Sequence, residues 1–565
     1  MRLPLSRRAV LMGLAAGLAP RFALAEAPGA AAADAAWWAV DLAGYLPGGA
    51  KRAVLHAASA PASADLVSLV EAESGAPAEA VPSLAALEDP VTGAGATGVD
   101  FSSLAAPGRY RLRYGDALSP VFAVGPASYD ATVRALLRSF YLERCGAALS
   151  DAENDLFRRP CHTDDAALAD EAGVRRDCRG GWHDGASYAK STALVAEATL
   201  RLLALADLLP RLGANGALAL PEASKGERDI LSEARIGLAF LMRMQSEAGA
   251  MHGGVGAAPP SPPAAPQDDF SARRLLPPDR AATLKSAAAL AMGQRAFAPA
   301  DELFARALAD AAERARMALE PLDRSALAGG ETDRMIADLE LWRSGLGGLD
   351  DAAAAAALAA IPTDDRLVSS ALPLTLAMLA RGSDAREAAL AAQARAKLAA
   401  AVANLAPYVD LFLAPASAGA SAPLARAVGL GLLFAAAART FSRPELRGPA
   451  QRVADHMLGA NAFAVSLVST GGAKPEMAHA AALGNGFALP GFLMGALGEE
   501  HRDWYVDEAS GRATFRSPSA NPATAPTLGA NAALAGLLAM LGADEPRSEE
   551  TARASASDGH EPLAP

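Results

Sequence analysis

From Tyr129 to about Leu541 the sequence is a succession of alanine- and leucine-rich segments with apolar residues at helical spacing. Alanine and leucine favour helix strongly, and capping residues or helix breakers separate neighbouring segments. The predicted helices lie near residues 129–147, 190–210, 225–246, 281–294, 300–319, 331–346, 367–381, 384–404, 424–440, 446–459 and 527–541. Eleven or twelve helices joined by irregular loops predict a helical barrel or array.

The residues before this helical part, from about Trp37 to Val124, have the pattern of short strands. The segments KRAVLHAA, RYRLRYG and SPVFAVG alternate or carry residues with high β-propensity, and glycine and proline separate them. A length of 565 residues is too great for one ordinary domain. The sequence therefore predicts a small β-sandwich, residues 27–125, before the helical domain.

The N-terminus predicts export. Paired arginines, Arg7 and Arg8, precede the short apolar run LMGLAAGLAP, and Ala23-Leu24-Ala25 has the form of a cleavage site. The arginine pair indicates a twin-arginine signal peptide over residues 1–25, and the apolar run is too short for a membrane anchor. We therefore expect an exported protein, periplasmic or secreted, that begins near Glu26.

Charge and hydropathy limit the partners of the mature chain. The net charge of −12 argues against nucleic acid and against anionic membrane surfaces as ligands. No later segment has the roughly 18 uninterrupted apolar residues of a spanning helix, so no transmembrane segment is expected. The polar tail, residues 546–565, has the composition of a disordered segment.

Several motifs, in order along nearly the whole mature chain, resemble those of one enzyme family. They are Tyr45-Leu46-Pro47, Lys51-Arg52-Ala53-Val54, DFSSLAAPGRYRL from Asp100, FYLERCG (140–146), PCHTDDA (160–166), GGWHD (180–184), MHGGV (251–255) and PPDRAATLKSAAALAMGQRAF (277–297), with weaker matches at 458–472 and 490–497. This pattern resembles glycoside hydrolase family 9, the cellulase family with an N-terminal immunoglobulin-like domain. The resemblance implies an (α/α)6 barrel over residues 126–543, preceded by an immunoglobulin-like β-sandwich. It also implies a cleft for β-1,4-linked glucan.

The catalytic motifs of that family are incomplete in this chain. Inverting hydrolysis needs two carboxyl groups, one that activates water and one that protonates the leaving oxygen. The family places its base at the second aspartate of an Asp-Ala-Gly-Asp run. Here Asp184 occupies the first aspartate position, and Ser187 stands at the base position. Counting back from Asn531-Ala532 puts Ala525 where the family has its glutamate acid, and no acidic residue lies between Glu508 and Asp544.

The residues expected to contact substrate are also few. The family's histidine and arginine cluster follows a proline, but here Lys474-Pro475 is followed by Glu476, Met477, Ala478 and His479. Trp182 is a candidate platform for stacking a sugar ring, or else a packing residue of the core. His252 occupies the position of a cleft histidine, or else is an exposed loop residue.

A second constellation, Cys145, Cys161 and His162, suits a metal ion. Thiolate and imidazole are the ligands of tetrahedral zinc sites, and some members of the family carry structural zinc at these positions. His183 or Cys178 could supply the fourth ligand. The alternative is a disulfide, Cys145–Cys161 or Cys161–Cys178, since the chain is expected in an oxidising compartment.

Two functions remain open at this stage. General acid and base catalysis each contribute about 10²–10⁴-fold, and both groups are missing. The favoured hypothesis is therefore a catalytically impaired protein of the β-1,4-glucan class that binds a glycan or a protein partner. The alternative is an active, endoglucanase-type polysaccharide hydrolase with a relocated carboxylate, for which the candidates are Glu499, Glu500, Asp503, Asp507 and Glu508.

Overall fold

The structure is a computed structural model that describes residues 36–57, 59–88, 95–319, 330–409, 424–471, 477, 479–496, 504–507, 512–515 and 524–543. The signal peptide predicted over residues 1–25 and the disordered tail predicted over residues 546–565 lie outside these ranges.

The N-terminal domain is a sandwich of two antiparallel sheets, as the sequence predicted. Its strands are β1 (Trp37–Ala39), β2 (Arg52–His56), β3 (Val67–Glu71), β4 (Ser83–Glu88), β5 (Gly95–Asp100), β6 (Gly108–Tyr114), β7 (Ala117–Leu118) and β8 (Phe122–Val124). One sheet has the order β1-β2-β5-β4, and in the other β3, β7 and β8 all pair with β6. The inward side chains meet in an aromatic core, where Tyr45 packs edge-on against Phe101 and Phe122 at centroid distances of 5.1 and 5.3 Å.

The helical domain follows from residue 130. Its helices are α1 (Asp130–Leu142), α2 (Thr192–Leu208), α3 (Asp229–Arg243), α4 (Arg280–Phe297), α5 (Glu302–Leu319), α6 (Glu331–Arg343), α7 (Asp351–Ala360), α8 (Asp365–Val368), α9 (Leu372–Arg381), α10 (Ala385–Leu405), α11 (Leu424–Phe441), α12 (Arg447–Leu458), α13 (Ala480–Asn485) and α14 (Leu528–Gly542). Short strands lie between them: β9 (Leu149–Asp151), β10 (Leu156–Arg158), β11 (Leu168–Ala169), β12 (Arg175–Arg176), β13 (Lys190–Ser191), β14 (Gly254–Ala257), β15 (Arg273–Leu275), β16 (Trp504–Val506) and β17 (Ala513–Phe515).

The twelve longer helices form an (α/α)6 barrel. The inner ring consists of α2, α4, α6, α9, α11 and α14, each packed against the next, and α14 returns to α2. The helices α1, α3, α5, α7, α10 and α12 alternate with them along the chain and pack outside this ring. Because inner and outer helices alternate in direction, the inner helices all run the same way. Their N-terminal ends therefore share one face, which we call the mouth of the barrel.

Capping groups fix where the inner helices begin at the mouth. The side chain of Ser191 accepts a hydrogen bond from the backbone N of Leu194 before α2, and the Asp279 carboxylate accepts one from Ala282 N before α4. Such side-chain oxygens satisfy N–H groups that have no partner within the helix. Because the inner helices begin on the same face, the loops that precede α2, α4 and α14 lie at the mouth.

One inner helix, α11, is long and apolar enough to cross a membrane by length and composition alone. Of its apolar window, 72% is buried inside the protein. The apolar surface of α11 is thus accounted for by packing against α9, α12 and α14 in the barrel.

The two domains are in direct backbone contact. The amide N of Leu42, after β1, donates to the carbonyl O of Leu458 at the end of α12 over 2.8 Å. Gly459 has a φ of +132° there, and a Cβ added to it would lie only 2.6 Å from the carbonyl O of Val40. The close approach of these two segments therefore requires glycine at position 459.

A matched pair of glycines tests the packing of the ring. A Cβ at Gly429 of α11 would lie 2.0 Å from the carbonyl O of Val368, whereas at Gly448 of α12 the nearest atom is 4.0 Å away. We expect Gly429→Ala to lower the free energy of unfolding by about 2 kcal/mol or more, because α11 must shift. Gly448→Ala should be neutral or stabilising by up to about 1 kcal/mol. Urea denaturation measures both changes, and equal effects would contradict this packing.

Candidate functional site

The loop of residues 178–191, which leads into α2, is held by a buried ammonium group. Lys190 Nζ lies 2.8 Å from Asp165 Oδ2 and donates to the carbonyl oxygens of Cys178 and Gly180 at 2.5 and 3.1 Å. Arg273 Nε donates to the other oxygen of Asp165 over 2.7 Å. Burial raises the pKa of Asp165. The hydrogen bond from Arg273 and the charge of Lys190 outweigh burial and hold this pKa below its ordinary value.

Trp182 in this loop is buried, which favours the packing role over the sugar platform among the two roles that the sequence left open. The indole is only 1% exposed, lies edge-on to Phe140 at 5.0 Å, and donates from Nε1 to Glu233 Oε2 at 3.3 Å. Stacking on a sugar requires an accessible ring face, and both faces of this ring are covered. Gly181, with a φ of +72°, gives the backbone the turn that buries the indole.

His252 is not an exposed loop residue either. It is 2% exposed, and its Nδ1 lies 2.8 Å from the carbonyl O of Leu276 in the loop before α4. Its Nε2 meets no hydrogen-bond partner among the described residues. The imidazole is thus buried beside the loop that leads into α4.

Asp184 and Ser187 lie in one tight turn beside the mouth. Ser187 N donates to the carbonyl O of Asp184 over 2.8 Å, and Ser187 Oγ accepts from Ala189 N over 3.1 Å. Burial and the nearby negative charge of Glu143 raise the pKa of Asp184. A half-buried carboxyl group is therefore present at the first aspartate position, while the base position carries a hydroxyl that completes its own turn.

The expected base and acid positions lie on adjoining segments. A Cβ at Gly185 would lie 2.4 Å from the carbonyl O of Pro526, the residue after Ala525. Ala480 N donates to the carbonyl O of Gly185 over 2.7 Å, which adds the segment that contains His479. The segments that carry the expected base and acid positions, Ser187 and Ala525, are thus adjacent, and the segment that contains His479 adjoins them.

His479 has a structural partner. Its Nε2 lies 2.5 Å from Glu143 Oε1, and both side chains are 2% exposed. Lys474, Pro475, Glu476 and Ala478 lie outside the described residues. Of the candidates for a relocated carboxylate, only Asp507 is described, directly after β16, and Glu499, Glu500, Asp503 and Glu508 are outside the described ranges.

The structure brings together two other carboxylates that sequence reasoning missed. Lys285 Nζ of α4 lies 2.5 Å from Glu197 Oε2 of α2 and 3.7 Å from Asp333 Oδ1 of α6. These three side chains line one small cavity. Burial raises the pKa of Asp333 to about 6. Burial also raises the pKa of Glu197, but the charges of Arg201 and Lys285 outweigh burial and hold this pKa below its ordinary value.

Sequence spacing could not reveal this charge network, because its members are on three different helices. Glu197 and Lys285 belong to alanine- and leucine-rich segments, and Asp333 belongs to a segment rich in charged residues. In both kinds of segment a charge is expected on the solvent face. Helical periodicity around Glu197 places this side chain within reach of the barrel interior, and in the sequence this periodicity alone could have indicated the charge network.

A compact cluster of four donors lies beside the loop. Cys145, Cys161, His162 and His183 are all buried, and their ligand atoms lie within 4.8 Å of one another. Cys145 Sγ is 3.7 Å from His162 Nδ1, Cys161 Sγ is 3.6 Å from His183 Nε2, and the two ring nitrogens are 3.3 Å apart. Tetrahedral zinc with these ligands separates them by about 3.3–3.8 Å. The donor set fits such an ion, and His183 is its fourth member.

Carboxylates orient both imidazoles of this cluster. His162 Nε2 lies 3.2 Å from Asp269 Oδ2, and His183 Nδ1 lies 3.3 Å from Glu143 Oε2. Each contact leaves the other ring nitrogen directed at the cluster, the arrangement common around metal-binding histidines. The hydrogen bond with Cys145 lowers the pKa of Cys161 to about 6, which favours the thiolate form that metals bind.

The third cysteine is separate. Cys145, Cys161 and Cys178 are all free thiols in the structure, and Cys178 Sγ lies 3.6 Å from the carbonyl O of Arg176. Burial raises the pKa of Cys178 to about 11. Of the two fourth ligands considered, the structure therefore favours His183.

Fold and site together define an (α/α)6-barrel protein with a cellulase-type N-terminal domain. The family model "Glycosyl hydrolase family 9" matches residues 129–538, and "Cellulase N-terminal ig-like domain" matches residues 33–119. The chain belongs to glycosyl hydrolase family 9.

Individual relatives agree with this assignment. The chain is 29% identical over 228 residues to a cellodextrinase of Butyrivibrio fibrisolvens, a match that covers 38% of this chain and 40% of that protein. A metagenome-derived family 9 endoglucanase is 28% identical, with a TM-score of 0.78 over 90% of this chain and 99% of that one. The fold also matches a zinc-binding triple mutant of endoglucanase J30, which is 24% identical, with a TM-score of 0.73 over 89% of this chain and 100% of that one.

A matched pair of substitutions tests the anchor of the loop. Lys190→Met removes the buried partner of Asp165 and of two carbonyl groups, and we expect it to lower the free energy of unfolding by about 3–5 kcal/mol. Arg179→Met breaks the exposed pair with Asp177 in the same loop and should cost at most about 1 kcal/mol. Urea denaturation of both variants measures the difference, and similar losses would contradict the anchoring role of Lys190.

Proposed function

We propose that this protein is an exported family 9 barrel that binds β-glucan at its mouth without hydrolysing it. The observation that carries the proposal is the pair of positions Ser187 and Ala525. The contact between Gly185 and Pro526 supports their lying on adjacent segments of one frame, and neither side chain can transfer a proton at neutral pH. A proposed signal peptide over residues 1–25 would deliver the chain to the periplasm or outside the cell.

Both proton transfers of the hydrolysis, from the attacking water and to the leaving oxygen, lack a group at the expected positions. A serine hydroxyl needs a basic partner before it can accept a proton from water, and the Ser187 oxygen already accepts the hydrogen bond of Ala189 N. Even if Asp184 activated a water molecule, nothing at Ala525 would protonate the departing oxygen. An alkoxide leaving group is poor, so the loss of the acid alone lowers the rate by about 10²–10⁴-fold.

One observation favours a second candidate function, an active hydrolase with relocated carboxylates. Glu197 and Asp333 flank Lys285 near the mouth, with one carboxyl group ionised and the other easily protonated near pH 6. Two carboxyl groups with separated pKa values are what acid–base hydrolysis requires. Lys285, however, occupies the space between them, which favours a structural ion-pair network.

The purified full chain tests both functions. We expect no release of reducing sugar from carboxymethyl-cellulose or mixed-linkage β-glucan, and we expect the protein to be retarded in native gels that contain either polymer. Ser187→Asp alone should stay inactive because the acid is still missing. The double variant Ser187→Asp with Ala525→Glu should be at least about 10²-fold more active than either single variant.

Each contrary outcome identifies a different mechanism. Turnover by the wild type that disappears in Asp184→Ala would make Asp184 a working catalytic residue. Turnover that instead disappears in Glu197→Gln or Asp333→Asn would support the relocated hydrolase. Unretarded migration in both polymers would contradict glucan binding.

We also propose that Cys145, Cys161, His162 and His183 hold a structural zinc ion. The ion would cross-link residues 145 and 161–162 to His183, next to Asp184, and would supply stability and no chemistry. The donor separations and the two orienting carboxylates support this assignment. Twin-arginine export of a folded protein would allow the metal to bind before translocation.

A pair of cysteine variants tests the zinc site. Elemental analysis of protein purified from the cytosol should give about one zinc per chain for the wild type and for Cys178→Ser. Cys161→Ser should lose most of the zinc and unfold at a lower temperature. Zinc-free wild type, or equal zinc contents in the two variants, would contradict the proposal.

A further inference from the structure

Two carboxyl groups from different domains meet in the interface between the sandwich and the barrel. Asp41 follows β1, and Asp455 lies on α12. Their exposed fractions are 0% and 3%. The inter-domain hydrogen bond from Leu42 N to Leu458 O is adjacent to both residues in sequence. The pair therefore lies beside a backbone contact that joins the domains.

The hydrogen bonds around this pair leave one oxygen without a donor. Ala43 N donates to Asp41 Oδ1 over 2.8 Å, and Tyr129 O–H donates to Asp41 Oδ2 over 3.2 Å. Gln451 Nε2 donates to Asp455 Oδ1 over 2.7 Å. Asp455 Oδ2 meets no N–H or O–H donor in the described part of the chain. Gln451 Nε2 also donates to the Tyr129 hydroxyl, so these two side chains bridge the two carboxyl groups, and Asp41 is a hydrogen-bonding neighbour of Asp455.

Two carboxylates in contact can form a hydrogen bond only if one of them carries a proton. The positive charges of Arg52 on β2 and Arg452 on α12 both favour ionisation of Asp455. Burial outweighs them and raises the pKa of Asp455 to about 7, and burial together with the charge of Asp455 raises that of Asp41 as well.

The two tyrosines that face the pair stay neutral. Burial raises the pKa values of Tyr45 and Tyr129 far above their ordinary range, so both remain hydrogen-bonding phenols. His456, the next residue on α12, is buried and precedes the turn at Gly459.

We propose that Asp41 and Asp455 share one proton and form a pH-sensitive latch that holds the N-terminal domain on the barrel. With the proton present, the two side chains form an inter-domain hydrogen bond. When the proton leaves to solvent, two negative charges face each other in a buried interface, and the docking of the domains weakens.

The sign of the pH dependence follows from linkage. A carboxyl group with a raised pKa in the folded state binds more protons folded than unfolded, so its contribution to stability is largest at acid pH. That contribution falls as the pH rises from about 4, the ordinary value, toward 7. The latch is thus closed in mildly acidic surroundings and weakened above neutral pH.

Asparagine variants of the full-length protein test the latch. Asp455→Asn replaces the shared proton with a permanent N–H donor, and Asp41→Asn does the same from the other side. We expect the wild type to lose thermal stability between pH 5 and 8 much more steeply than either variant. Asp65→Asn, an exposed site in the same domain, should retain the wild-type pH dependence.

Two further measurements report on the proton and on the interface. At pH 6 the infrared difference spectrum between the wild type and either asparagine variant should contain the band of a protonated carboxylic acid, because the contribution of Asp333, whose pKa is about 6, is common to all three proteins and cancels. Hydrogen exchange at Leu42 N, corrected for intrinsic rate, should accelerate by about tenfold between pH 6 and 8 in the wild type alone, the change that one unit of altered equilibrium gives. Absence of the infrared band, or equal pH dependence in wild type and Asp455→Asn, would overturn the proposal.

Discussion

The buried ammonium group of Lys190 holds the loop of residues 178–191 in place beside the mouth of the barrel. It neutralises Asp165, and it binds two carbonyl groups of the chain segment that leads to Trp182 and His183. Without this charge those carbonyls would be buried without donors, a loss of several kcal/mol in an interior that water does not reach. Cys161 and His162 lie three or four residues before Asp165, and His183 and Asp184 lie three or four residues after Gly180, so the positions of these four residues depend on the groups that Lys190 binds.

Under the proposed function, the same arrangement would keep the family framework in place around a catalytic site that lacks its two proton-transferring groups. Caps, glycine turns, the Cys and His cluster and the buried ion pairs all serve packing, and each is costly to lose. The base and acid positions contribute nothing to packing that Ser187 and Ala525 cannot also contribute. Ser187 closes its own turn, and Ala525 presents a methyl group next to Pro526. The residues that stabilise the loops at the mouth are therefore different from the residues at the expected base and acid positions.

Much of the fold could be predicted from helical periodicity, but not all of it. Eleven of the twelve long helices match predicted segments, whereas α7 was missed. Its sequence, DAAAAAALAA, is almost uniformly alanine, so it has no contrast between polar and apolar faces. The site was predicted less well. Trp182 and His252 were expected near substrate, and both are buried, because a motif position does not reveal which way a side chain points.

The sequence by itself determined the element types, the two-domain order, the family resemblance and the absence of carboxylates at positions 187 and 525. These properties depend on residue identity and local spacing, which the chain carries directly. Only the tertiary structure decided that His183 completes the donor cluster, that Glu197, Lys285 and Asp333 meet, and that Asp41 lies against Asp455. Each of those contacts joins residues far apart in the chain, and their partners are selected by the packing of helices around a common axis. No local pattern records that choice.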